Sequence, residues 1–116
     1  MARKRMVLEL GMGTDLGGED YTKAAIRALR DALWHNSLTI ADAMGVDRQA
    51  MEVDILIGTG KPDEVDETAV AAILPYGTAR VRAVQGGMDI PKEDGSLTVM
   101  ANAAVVVWLD LPEASA

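Results

Sequence analysis

The chain has 116 residues, 49% hydrophobic and 25% charged, enough for one domain with its own core and unlike the composition of a disordered segment. With no cysteine and a single histidine, it excludes disulfides, thiol nucleophiles and zinc sites built from several imidazoles or thiolates. A net charge of −7 repels nucleic acid, and the lack of Phe leaves Ala, Val, Leu, Ile and Met to fill the interior.

Arg3, Lys4 and Arg5 precede an apolar run at 6–10, but Glu9, Gly11 and Gly13 interrupt it too early for a signal sequence. No window approaches the length of a membrane helix, so a cytoplasmic location is expected. Residues 5–12 predict a first strand, with Met6, Leu8 and Leu10 on one side and Val7 and Glu9 on the other. A glycine-rich loop at 11–18 leads to a long amphipathic helix over about 20–35. Its buried stripe is Ala25, Ile26, Leu29, Ala32 and Leu33, and Asn36 suits a left-handed exit.

Thr39 with Asp42 resembles a capping box for a short helical turn closed by Gly45. Residues 52–58 predict a second strand with Val53, Ile55 and Ile57 on one face. Pro62 interrupts the chain, Asp66 is placed to cap a short helix through Leu74, and Pro75 ends it. The third strand, 78–85, turns Ala79, Val81 and Ala83 inward and Arg80 and Arg82 outward. A loop at 86–96 with an Asp94-Gly95 turn leads to the longest strand, 97–109, whose apolar face runs from Leu97 to Val107.

These elements make a single α/β (α+β) domain, ordered over about 5–110, in the order β-α-β-α-β-β. A four-stranded mixed sheet with two helices on one face is expected. The opposite face is mixed, carrying Glu9, Leu56, Arg80, Arg82, Asn102 and Trp108 among others. Such a face suits a subunit interface or a wet cleft.

Familiar motifs fail. Gly11-Met12-Gly13-Thr14-Asp15-Leu16 lacks the third glycine of a dinucleotide fingerprint, and Asp15, Glu19 and Asp20 crowd a helix start that a pyrophosphate needs positive. Gly60-Lys61 lacks the upstream glycine and the following hydroxyl of a phosphate loop. Asp63, Glu64, Asp66 and Glu67 read as caps and solvated surface before they read as a magnesium or calcium site. No metal or other cofactor is expected, and any activity should survive EDTA.

His35-Asn36-Ser37 concentrates polar chemistry: a general base, an orienting amide and a hydroxyl nucleophile, or equally a plain helix terminus. His35, Ser37 and Glu9 are the candidate catalytic residues. Asn36, Lys61, Asn102, Asp15 and Arg82 are the candidate ligand-binding residues. With parallel first, second and third strands, His35 and Lys61 fall at opposite ends of one sheet. The expected pocket is therefore shared, with His35 or Ser37 of one chain facing Glu9, Lys61 or Asn102 of another.

Several segments together carry a resemblance: Leu8-Glu9-Leu10-Gly11-Met12-Gly13, His35-Asn36-Ser37-Leu38, Leu74-Pro75-Tyr76-Gly77, Gly86-Gly87 and Ala101-Asn102-Ala103-Ala104-Val105. The chain resembles a small bacterial family of uncharacterised proteins named after a Listeria reading frame, over almost its whole length. The element order is also similar to the chorismate-mutase-like fold of trimeric imine deaminases and to single units of ring-opening amidohydrolases. That likeness implies a trimer. It would put Ser37 or Ser96 with Lys61, although the surrounding signatures differ, and fold alone does not carry function. The expected role is a homo-oligomeric enzyme or binding protein for a small polar metabolite, with hydrolysis, deamination or isomerisation as the chemistry. The alternative is a non-catalytic sensor or assembly protein.

Overall fold

Alternating apolar residues and well-placed caps produce β1 (Ala2–Asp15), α1 (Tyr21–Trp34), α2 (Ile40–Ala43), β2 (Glu52–Thr59), α3 (Glu67–Ala71), β3 (Thr78–Gln85), β4 (Met88–Pro91) and β5 (Leu97–Leu111). The structure, a computed structural model, describes residues 2–34 and 39–111. The expected helix exit at His35-Asn36-Ser37 lies outside the described residues.

The α+β class holds, but the sheet has five strands rather than four. Its order is β1-β5-β2-β3, with β4 beside the beginning of β5. β5 is antiparallel to β1 and β2, and β2 is parallel to β3, so β1, β2 and β3 share one direction. Their carboxyl ends therefore meet at one end of the sheet, as expected.

β4 lies within the segment expected to be a loop. Met88 and Ile90 pair with Met100 and Thr98 on one face while Asp89 turns to the other. A turn closed by Gly95 at φ 87° returns the chain to β5. Four residues ending in proline are too few to establish a period. Gly58, Gly86 and Gly87 let the chain cross past the end of β2, since a Cβ on Gly87 would lie 2.2 Å from the Met100 carbonyl oxygen.

β1 departs further from expectation. Its pairing passes from Arg5↔Trp108 to Val7↔Val107, so Met6 is a bulged residue, and the extra residue reverses the alternation. Beyond it Leu8, Leu10 and Met12 pair with Val106, Ala104 and Asn102 on the bare face. Val7, Glu9, Gly11 and Gly13 face α1 instead. The expected sides of Leu8 and Glu9 are thus exchanged, and the supposed loop at 11–13 is strand.

Small residues explain the exchange. Ala24, Ala28 and Ala32 recur every four residues on one stripe of α1 and are fully buried. A Cβ on Gly11 would lie 2.3 Å from the Ala32 nitrogen, and one on Gly13 would lie 2.2 Å from the Ala28 nitrogen. Only hydrogen fits at these two positions, so the helix backbone rests directly on the strand. Around this contact Leu29, Val53, Ile55, Ile57, Val105 and Val107 close the core, and Val70 of α3 extends it.

Helix side chains also cap the sheet edges. The Met12 N–H donates to Asp31 at 2.9 Å, Arg27 donates to the Thr14 carbonyl at 2.7 Å, and the Ala83 N–H donates to Glu67 at 2.8 Å. Satisfied edge groups cannot recruit another strand at those points.

Candidate functional site on the open sheet face

The side of the sheet away from α1 carries no helix among the described residues, and its rows of neighbouring residues follow from the strand register. Nearest the β2 start lies a charged row. Arg3 Nε donates to Glu52 at 2.7 Å and its guanidinium stands 4.2 Å from the Trp108 ring centroid. Arg80 Nε and Trp108 Nε1 donate to the two oxygens of Asp54, each at 3.0 Å. The acids of these pairs are 43% exposed, so the pairs orient the side chains more than they stabilise the fold.

The next row runs Arg82, Leu56, Ala104, Leu10, and the one after it Val84, Gly58, Asn102, Met12. Arg82 and Asn102 are exposed, and their side chains make no hydrogen bond or ion pair among the described residues. A shallow groove of about 400 Å³ lies between Asp54, Arg80, Arg82, Leu56 and Val106. A second, of about 240 Å³, lies between Leu10, Gly58, Val84 and Asn102, and both are floored by Ala104.

Around these polar groups the face is apolar. Leu8, Leu10, Met12, Leu56, Met88 and Ile90 are between 39% and 64% exposed. This surface is more apolar than simple strand alternation predicts, because the Met6 bulge exchanges Glu9 for leucines. The signal available in the sequence was the phase of Gly11 and Gly13 against Ala24, Ala28 and Ala32, which places glycines and not leucines under the helix.

Other candidates fall elsewhere. Glu9 lies on the helix side of β1, so the sheet separates it from Asn102. Asp15 is buried and accepts the Asp20 N–H at 2.9 Å, with Arg27 at 3.6 Å. That backbone donor, opposed by burial, holds its carboxyl below the usual carboxylate value. Asp15 thereby ties the end of β1 to the start of α1. Lys61 stands at the carboxyl end of the sheet, 3.6 Å from Glu64 and 5.8 Å from the Tyr21 ring. α1 carries its other end, Trp34, roughly 20 Å from Tyr21 at 1.5 Å per residue. His35, Asn36 and Ser37 lie outside the described residues.

At that carboxyl end the buried Tyr21 donates its hydroxyl to the half-buried Asp89 at 2.8 Å, a pair that no local pattern signals because the two residues are 68 positions apart. Burial first, and the hydrogen bond to Asp89 second, push the phenol up to about 12. Three of the acids between Asp63 and Glu67 are engaged locally: Asp66 caps α3 through Ala69, Glu67 holds the Ala83 amide and Glu64 faces Lys61. Among the described residues no group of three or more His, Asp or Glu side chains is placed to hold a metal ion. No helix among them is long and apolar enough to cross a membrane.

A five-stranded mixed sheet, covered by helices on one face and, among the described residues, bare on the other, defines the class as a small α+β domain. The chain belongs to the family described as Conserved hypothetical protein (Lin0512_fam), whose model matches residues 5–107. Among curated proteins none matches. Among solved structures, the chain is similar to an FtsZ-like protein of unknown function from Nostoc punctiforme. The two are 32% identical with a TM-score of 0.85, over 96% of this chain and 99% of the other.

Proposed function

We propose that the protein is a homo-oligomer assembled through its open sheet face, binding a small polar metabolite between subunits, with a trimer the expected state. One observation carries the reading: a continuous apolar face, 39–64% exposed at its large side chains, with Arg82 and Asn102 set into it. Fully burying such a side chain is worth roughly 1.5–3 kcal/mol, and these are about half-way there. Six of them on each of two subunits therefore offer on the order of 10 kcal/mol, against an association cost on the order of 4–15 kcal/mol. The apolar patch is thus comparable to the cost, and the remaining open-face contacts tip the balance toward assembly.

Shape and edges support the same reading. The radius of gyration is 16.0 Å, against roughly 13 Å for a compact domain of this length. Caps on both edge strands favour face packing over edge pairing. Catalysis, if the assembly performs it, falls to acid–base groups such as His35 and Ser37 reaching a neighbour's face, without a metal. A second reading, assembly without a metabolite, is favoured by the separation of Glu9 from Asn102 across the sheet.

Light scattering coupled to gel filtration tests the assembly. A mass well above 12.3 kDa is expected, and a monomer at that mass rejects the proposal. A thermal-shift screen of small acids, amides and heterocycles then separates the metabolite reading from the assembly-only one.

A further inference from the structure

We propose that Arg82 and Asn102 form the anion end of a subsite for a small carboxylate with a flat apolar body, seated over Leu56 and Ala104. The inference rests on the metabolite reading of the open face and names its ligand class.

Asp54 is already matched by Arg80 at 3.0 Å, by Trp108 Nε1 at 3.0 Å and by Arg3 at 3.7 Å. Arg82 has no such partner among the described residues, so one positive charge stands uncompensated on the surface of a chain of net charge −7. A guanidinium presents a planar fork that matches the two oxygens of a carboxylate.

Arg82 lies one row from Asn102, and the residues between them are Leu56, Ala104 and Gly58. The Gly86-Gly87 backbone passes close over Gly58, so the long arginine and the amide converge over Leu56 and Ala104, which line both grooves. Asn102 supplies N–H donors for an anion while its carbonyl oxygen accepts a ligand hydroxyl or amine. Leu10, Leu56, Val84 and Ala104 make an apolar floor that suits a planar ring or chain. Arg82 lines the larger groove, about 400 Å³ and within the range of small-molecule sites at roughly 300–1,000 Å³, and Asn102 lines the adjoining one of about 240 Å³.

The same chemistry selects against a phosphate. One guanidinium and one neutral amide compensate a single charge, and the Asp54 carboxylate in the same groove opposes a second. Neutral amides lose the charge-assisted bonds altogether. A ligand on this face is half open to water until a second copy covers it, which places the subsite between subunits.

Calorimetric titration of the full chain with benzoate, benzamide and phenyl phosphate tests the class. Benzoate should bind most tightly, and Arg82→Gln should weaken it roughly tenfold to a hundredfold, the usual worth of a charge-assisted hydrogen bond. Asn102→Ala should weaken it less. Both positions are exposed, and circular dichroism with thermal melting checks that the variants fold. Equal binding of benzamide and benzoate, preference for phenyl phosphate, no benzoate binding, or affinity unchanged in Arg82→Gln overturns the subsite. Light scattering on the same samples keeps the two proposals apart. An oligomer that ignores all three probes overturns the ligand class alone. A monomer that binds benzoate through Arg82 retains the class and overturns the assembly.

Discussion

Gly13 shows how much a single hydrogen atom decides. Its missing Cβ would overlap the α1 backbone at Ala28, and neither the strand nor the helix has a flexible side chain that can move aside. Gly13→Ala should therefore destabilise by about 3 kcal/mol or more, the upper end for overpacking, as measured by urea unfolding. Gly17, with open space around its Cβ position, is the matched control and should tolerate alanine. Tyr21 makes a prediction of a different kind. Its folded value of about 12 exceeds the ordinary value of 10.0, so its contribution is complete below 10.0 and is lost as pH rises from there through about 12. Phenolate absorbance should show a step near 12 that Tyr21→Phe removes. The variant should also show a smaller loss of stability across the same alkaline window.

The short elements depend on their caps more than on their length. α3 has five residues, too few to persist alone, and Asp66 Oδ1 accepts the Ala69 N–H at 3.1 Å. Asp66→Ala should cost about 1 kcal/mol in chemical denaturation, whereas Asp66→Asn should retain most of the cap. α2 differs: Thr39 is its N-cap residue but makes no side-chain cap bond, and Asp42 instead pairs with Arg48 at 2.5 Å. The capping box expected there is therefore not formed, although Gly45 does leave the turn at φ 70°. β1 is held by larger forces, with β5 along one side and α1 above it. Its bulge at Met6 is the feature that turns three large apolar residues toward solvent.

For the whole molecule the decisive property is the bare face. Leu10 is 64% exposed near its centre, so Leu10→Asp should leave the protomer's fold intact while placing an unpaired carboxylate in the proposed interface. The expected result is a shift from oligomer to monomer in light scattering, with an unchanged far-ultraviolet dichroism spectrum. Oligomers that persist in Leu10→Asp would place the contact elsewhere on the surface. Any ligand binding should be insensitive to EDTA, and loss on chelation with recovery on adding a stoichiometric divalent ion would contradict this.

Local pattern was enough for much of this architecture. Val53, Ile55 and Ile57, Ala79, Val81 and Ala83, and the long apolar face of the last strand are period-2 signals that register with one buried face. Tyr21 to Trp34 carries a helical period, and Asp66 announces a helix start; these are properties of a few consecutive residues. Arg80 and Arg82 were legible as outward-facing for the same reason. The side of the sheet on which Leu8 and Glu9 fall was not, because one bulged residue inverts a strand's alternation and is chosen by the helix packing against Gly11 and Gly13. The pairing of Tyr21 with Asp89 was likewise decided by tertiary structure, whereas the common face of Arg82 and Asn102 was already legible from strand alternation. Strand order brings together residues far apart in sequence, and no local period encodes that order.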